Sequence, residues 1–373
     1  MHGYRLMKIA GFRIVIDPTW LFAFALITWS LAIGYFPAAK PPVTGGAAWA
    51  LGVVAALLLF GSVLVHELSH AILARRAGIP VPRIRLFLFG GVSEMAAEPR
   101  DPASEFRIAV AGPLTSLLLA GLFRLIALTP LPGFLPGGAQ TVGYLAAINL
   151  ALAIFNLLPG FPLDGGRILR AWLWSRRGDL VSATRTAGKA GSIVGYVLMG
   201  IGLVNLINGA LMGGLWLILI GMFLNQAAAS SYQTVLLKDL LTGVSVRELM
   251  TARVIAVPDH ASLDELVQEY FYRLPHGTFP VTDTGGRLAG MISLQQTKSV
   301  PREEWVRVPV RQVMTPVSEL RPLRPDEDCV AALERMVRED LGRLPVADGG
   351  LLVGILSRRD VMKLFQIRSD LAA

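Results

Sequence analysis

The chain has 373 residues, 53% of them hydrophobic and only 17% charged, with a formal net charge of +8. Soluble domains carry about 25% charged residues, and the deficit is local: residues 1–240 hold 18 Lys/Arg against 9 Asp/Glu, whereas residues 241–373 hold 17 against 18. The basic residues sit at the ends of apolar runs rather than along one soluble face, which excludes a nucleic-acid-binding stripe, and the single cysteine, Cys329, excludes a disulfide framework and a cysteine-ligated metal cluster. A boundary near residue 240 therefore separates an apolar, basic part from one with the balance of a soluble domain.

A helix needs about 20 apolar residues to cross a bilayer core. Uncharged runs cover 18–39, 43–65, 108–123 (continuing past Arg124 to 130), 141–163 and 190–237. The last is long enough for two spans, with a turn expected at Asn205–Gly214, where Asn and Gly cluster. The first run, from Pro18, is too long for a secretory signal core. Six spans put both termini on one side. With the N-terminus inside, 16 of the 18 basic residues before position 241 are cytoplasmic and only Lys40 and Arg124 fall outside. The expectation is a multi-pass cell-membrane protein with both termini cytoplasmic. The segment Ile79–Pro99 alternates over short stretches around two glycines and reads as a β-like hairpin or loop.

The second run leads into His66-Glu67-Leu68-Ser69-His70. Residues i and i+4 share a helix face, so both imidazoles can bind one Zn²⁺, with Glu67 beside them as the candidate general base. The bland alternative is a span that has reached the headgroups, but ionisable groups at membrane depth are costly and usually functional. Zinc needs a third protein ligand. The remaining histidines, His2, His260 and His276, lie outside every span, and among the acids preceding residue 241 Asp164 alone follows a long apolar run. Its setting is Asn156-Leu-Leu-Pro-Gly-Phe-Pro-Leu-Asp164-Gly-Gly-Arg167, where Pro159, Pro162 and the paired glycines break the helix and let Asp164 turn inward. A surface loop capped by Asp164 is the alternative.

HELSH together with NLLPGFPLDGGR resembles the site-2 protease family, whose hallmarks are HExxH and NxxPxxPLDG. The resemblance implies His66, His70 and Asp164 as zinc ligands and Glu67 as catalytic base. It implies a role for Asn156 in holding substrate or the oxyanion. Phe89–Val92 (FGGV) resembles the loop that receives substrate as an added strand, and Glu105–Pro113 the family's third span. The likeness covers most of residues 1–230.

From residue 244 a repeat appears. Val246-Arg-Glu-Leu-Met-Thr251 recurs as Val310-Arg-Gln-Val-Met-Thr315, Phe279-Pro-Val281 as Leu344-Pro-Val346, and Gly290-Met-Ile-Ser293 as Gly354-Ile-Leu-Ser357. Each unit reads as strand, helix, two strands, helix, a paired α/β module. The repeats resemble CBS domains, which pair to bind adenine nucleotides. By that resemblance Ser357 faces phosphate and Asp360 the ribose of ATP or AMP. The first repeat, Ser293-Leu-Gln-Gln296, lacks the acid, so one site is expected, not two. A nucleotide-free pair serving as a homodimerisation or docking surface is the alternative.

The expected architecture is a polytopic α-helical membrane domain of six spans (1–237) followed by an α/β soluble CBS pair, with repeats at 244–300 and 308–369. The short connection KDLLTGVS, 238–245, keeps the repeats beneath the cytoplasmic face. The function implied is an intramembrane zinc endopeptidase that cleaves membrane-embedded or membrane-proximal segments of single-span membrane proteins, with regulation by adenine nucleotide through the CBS pair. A CBS-gated transporter or channel is the competitor, but a pore spreads polar residues over several spans, whereas here they concentrate at 66–70 and 156–167.

Overall fold

A computed structural model describes residues 4–372. It divides into two compact units, Met1–Val235 and Leu236–Ala373.

In the first unit, strands β1 (Tyr4–Ile9) and β2 (Phe12–Ile16) precede helix α1 (Pro18–Ser30), which continues through a π-helical turn (Leu31–Tyr35) into α2 (Phe36–Ala38). There follow α3 (Gly45–Arg76), β3 (Arg83–Phe87), β4 (Gly90–Glu94), α4 (Pro102–Ala127), α5 (Gly138–Asn156), α6 (Asp164–Arg177), α7 (Leu180–Ile207) and α8 (Leu211–Leu241). Among the described residues, six helical stretches are long and apolar enough to cross a membrane: Pro18–Ala38, α3, α4, α5, α7 and α8. Asp residues start three of these helices. Asp17 accepts from Thr19 N at 3.0 Å, Asp101 from Ser104 N at 2.8 Å and Asp179 from Val181 N at 2.9 Å, each satisfying an otherwise orphan N–H. Pro18 and Pro102 occupy first helical positions, where no N–H is needed.

The HELSH motif lies inside α3, which runs on to Arg75 and Arg76 in its last turn. The break expected of Pro159 and Pro162 is present: α5 stops at Asn156 and the chain re-enters a helix at Asp164. One expectation is corrected. The connection expected over 238–245 is helical through Leu241.

Small residues set the helix spacing. A Cβ on Gly195 would stand 2.8 Å from Gly221 O, and one on Gly202 would stand 2.7 Å from Gly214 O, so α7 and α8 approach backbone to backbone. On α4, Glu105, Ile108, Ala109, Gly112, Pro113, Ser116 and Ala120 form one buried stripe at helical spacing. The 79–99 segment forms the antiparallel hairpin β3–β4. It completes a four-stranded sheet, β1-β2-β3-β4, in which β2 and β3 are parallel. Sequence reading missed β1 and β2. Phe12, Ile14 and Ile84 of this sheet pack on Ala71 and Ala74 of α3, leaving β4 as an edge strand.

The second unit holds α9 (Val246–Leu249), β5 (Val257–Pro258), α10 (Leu263–Glu265) running into a π turn (Leu266–Phe271), β6 (Thr278–Thr282), β7 (Leu288–Ser293) and α11 (Leu294–Thr297). It continues with β8 (Thr315–Pro316), α12 (Val317–Leu320), α13 (Cys329–Arg338), β9 (Arg343–Asp348), β10 (Leu351–Ser357) and α14 (Arg358–Ala372). The repeats are interleaved. β8, which follows the second Val-Arg-x-x-Met-Thr segment, pairs with β7 of the first repeat, while Thr251 bridges Ile355 of the second. Val246 accordingly belongs to the core of Leu323, Val346 and Leu356, and Val310 to that of Val257, Val281 and Ile292. Each fully buried aliphatic side chain contributes about 1.5–3 kcal/mol relative to exposure, so exchanging these segments couples the stability of the two repeats.

Candidate metal centre

The i, i+4 spacing on α3 brings His66 Nε2 and His70 Nε2 to 3.2 Å of each other. Asp164, in the first turn of α6, places Oδ2 3.2 Å from both. The proline-broken loop 157–163 delivers it there. The turn is tight because Gly165 and Gly166 lie against the backbone of Leu157, Leu158 and Gly160, where a Cβ would collide. All three side chains are buried. Among the described residues, they form a group whose ligand atoms lie within 4.8 Å of one another.

The donor set fits a cation. His70 Nδ1 donates to Ile108 O at 2.6 Å, and His66 Nδ1 lies 2.9 Å from Ser116 Oγ. With Nδ1 protonated, each neutral ring presents its Nε2 lone pair inward, and a carboxylate oxygen is also an acceptor. Three acceptors then converge with no proton among them, an arrangement that Zn²⁺, which takes His nitrogen and carboxylate oxygen, compensates. Gly112 is part of the cradle, since a Cβ there would overlap the Nε2 atoms of both imidazoles.

Glu67 is buried beside this group and accepts from Ser93 Oγ of β4 at 2.9 Å through Oε2. It lines a cavity of about 470 Å³ together with His66, His70, Asp164, Asn156, Gly90–Ser93 of β4, and Ser230, Ser231 and Thr234 of α8. Asn156, the last residue of α5, donates through Nδ2 to Leu152 O at 2.9 Å and borders the same cavity. Beneath Asp164, Glu105 is wholly buried and accepts from Arg170 Nε at 2.8 Å, with Arg167 Nε at 3.6 Å. Arg170 also reaches Glu98 at 3.0 Å. Breaking a buried pair of this kind costs about 3–5 kcal/mol, so the network fixes α6, and with it Asp164, against α4.

Ser357 and Asp360 are brought together in the other unit, chiefly onto each other. Asp360 Oδ2 accepts from Ser357 N at 3.0 Å and from Ser357 Oγ at 2.6 Å, a cap on α14. Gln296 Oε1 makes the same cap with Ser293, and its Nε2 also donates to Thr315 Oγ1 at 2.7 Å. The Ser-x-x-Asp pattern thus has a structural role in addition to the binding role expected of it.

Sequence reading missed Ser93, Ser116, Gly112 and the Glu105–Arg170 pair. Only the buried stripe spacing of α4 could have signalled Gly112 and Ser116, and nothing local signals Ser93.

Residues 54–133 and 137–202 match Peptidase family M50, and 246–296 and 310–367 match the CBS domain. Rip3 of Mycobacterium tuberculosis is 38% identical, covering 97% of this chain and 92% of that protein. The chain belongs to peptidase family M50, the site-2 protease family. MJ0392 of Methanocaldococcus jannaschii, named as a zinc metalloprotease, is 30% identical over 98% of this chain and 97% of its own length. The solved site-2 protease from the same archaeon aligns at 29% identity, covering 62% of this chain and 95% of that one, with a TM-score of 0.46. The protein is thus a multi-pass zinc metalloprotease of the M50 family with a CBS pair, and family membership sets aside the transporter reading.

The cradle at Gly112 generates a test. Gly112→Ala should displace at least one imidazole and lower zinc affinity by about tenfold or more. Far-UV circular dichroism should stay unchanged, since alanine favours the helix. Metal analysis of purified protein checks it, and full zinc occupancy in the variant would contradict the cradle.

Proposed function

We propose that this M50 protein is an intramembrane endopeptidase that cuts single-span membrane proteins, with the substrate segment received as an added strand on β4. The observation that carries this reading is a cavity lined both by the His66–His70–Asp164 group and by Gly90–Ser93 of β4, the last strand of its sheet. A substrate helix has its carbonyls hydrogen-bonded internally and must unwind to expose one. An edge strand supplies backbone partners for the unwound segment.

In this reading His66, His70 and Asp164 hold Zn²⁺, which when bound supplies Lewis acidity and lowers the pKa of a water toward neutrality. Glu67 takes the proton from the attacking water and delivers it to the leaving amine. Asn156 uses its second amide N–H to hold the substrate backbone or the developing oxyanion. His66→Ala, His70→Ala and Asp164→Ala should each lose metal and cleavage. Glu67→Gln should retain metal and lose at least about 100-fold in kcat, the scale of a general base. Assays on a panel of single-span peptides, with zinc analysis, check this; wild-type cleavage by Glu67→Gln refutes the mechanism.

Six spans and the crowding of basic residues on one side support cytoplasmic termini. His70 stands about 9 Å along α3 from Arg76 at 1.5 Å per residue, which favours an active site open toward the cytoplasm. Tags at either terminus should be protected from external protease in intact cells, while a tag in the 131–139 loop is cleaved. Cleavage at the C-terminal tag overturns this orientation.

We further propose that adenine nucleotide, ATP or AMP, binds mainly at the second CBS repeat and changes proteolysis. Asp360 caps α14 through Oδ2, which leaves Oδ1 for a ribose hydroxyl, whereas both polar atoms of Gln296 are engaged. Regulation requires that the nucleotide prefer one conformation of the protease over another. Asp360→Ala should weaken nucleotide binding at least about tenfold, the loss expected for a hydrogen bond to a charged group, and leave zinc content unchanged. Calorimetry on the full chain checks it. Absence of binding to the wild type sinks the sensor role and leaves the repeats as a homodimerisation surface.

A further inference from the structure

We propose that Ser93 is a positioning residue that ties the general base to the strand that takes up substrate. The proposal rests on the reading of Glu67 as the base.

The hydroxyl of Ser93 stands 2.9 Å from Glu67 Oε2 and 2.9 Å from Glu67 O. Its single proton is shared between the carboxylate and the carbonyl of one residue, a bifurcated bond, and the side chain is itself buried, at 8% exposure. Gly91, two residues earlier, shares its face of β4, because side chains alternate along a strand. A Cβ on Gly91 would stand 2.5 Å from Glu67 Cγ. One position thus leaves room for the Glu67 side chain, and the next position on that face fixes its carboxylate. Val92, pointing the other way, is exposed at 42%.

A carboxylate on a flexible side chain has several rotamers, and only some present an oxygen where a proton is transferred. The bond from Ser93 selects among them. β4 pairs with β3 and is the last strand of its sheet, and its residues Gly90–Ser93 line the cavity. A substrate segment paired to β4 immobilises the strand, and with it the hydroxyl that orients Glu67. The base is then best oriented when a peptide lies against the strand. No metal ligand takes part in this contact, so its loss affects turnover and not zinc binding.

The test uses full-length protein in bilayer nanodiscs with a single-span peptide substrate, and measures kcat, KM and zinc content of wild type, Ser93→Ala, Ser93→Thr and Glu67→Gln. Ser93→Ala should lower kcat about ten- to hundredfold, the range for losing one hydrogen bond to a charged group. Its KM should stay within about twofold and its zinc content should match the wild type, because neither depends on where the carboxylate points. Ser93→Thr restores the hydroxyl and should recover most of kcat. A Ser93→Ala enzyme with wild-type kcat beside an inactive Glu67→Gln overturns this proposal alone. Loss of zinc in Ser93→Ala, or a zinc-loaded Ser93→Thr as slow as Ser93→Ala, also overturns it by making the residue structural. An active Glu67→Gln is a separate outcome and removes the base assignment itself.

Discussion

Two imidazole nitrogens and a carboxylate oxygen meet at 3.2 Å inside a bundle of apolar helices. Convergent acceptors at this distance repel one another, and burial removes the water that would offset the repulsion. Such a group persists when a cation occupies its centre and when the surrounding structure holds each ligand in place. Much of the first unit serves that second condition. Ile108 O, which can only accept, sets the His70 tautomer, Ser116 Oγ holds the His66 ring, Gly112 lets α4 approach both imidazoles, and the Glu105–Arg170 pair ties α6 to α4.

The same centre accounts for the breaks in an otherwise regular helical architecture. α5 stops at Asn156 and α6 starts at Asp164 because the carboxylate must be delivered from the end of a helix instead of from its side. The hairpin β3–β4 is non-helical backbone within a membrane domain. It is tolerated because β2 pairs with its β3 edge and the residues of β4 line a cavity that also holds polar side chains. Hydroxyls of Ser230, Ser231 and Thr234 on α8 continue that polar wall within an apolar span.

The CBS pair follows a different logic. Its two repeats exchange segments, so Val246 packs in one core and Val310 in the other. Gly354 and Gly290 admit the side chains of Met250 and Met314; a Cβ would stand 2.6 and 2.8 Å from the respective Sδ atoms. A ligand that changed the fit of one segment would therefore be felt in both cores.

The amino-acid sequence by itself determined the six spans, the division near residue 240, the His66–Glu67–His70 spacing and the break that frees Asp164. These depend on local chemistry: runs of apolar side chains, a four-residue helical period, and prolines that cannot donate. The internal repeat was equally legible, because a duplicated pattern needs no partner to be recognised. Tertiary structure alone decided where α3 ends, that β1 and β2 extend the sheet, and that the repeats interleave. It also decided that Ser93 and Ser116, 26 and 50 residues from the side chains they hold, complete the site. Those contacts lie between segments distant in the chain, and no local propensity encodes which hydroxyl will face which carboxylate or imidazole until the helices and the sheet have packed.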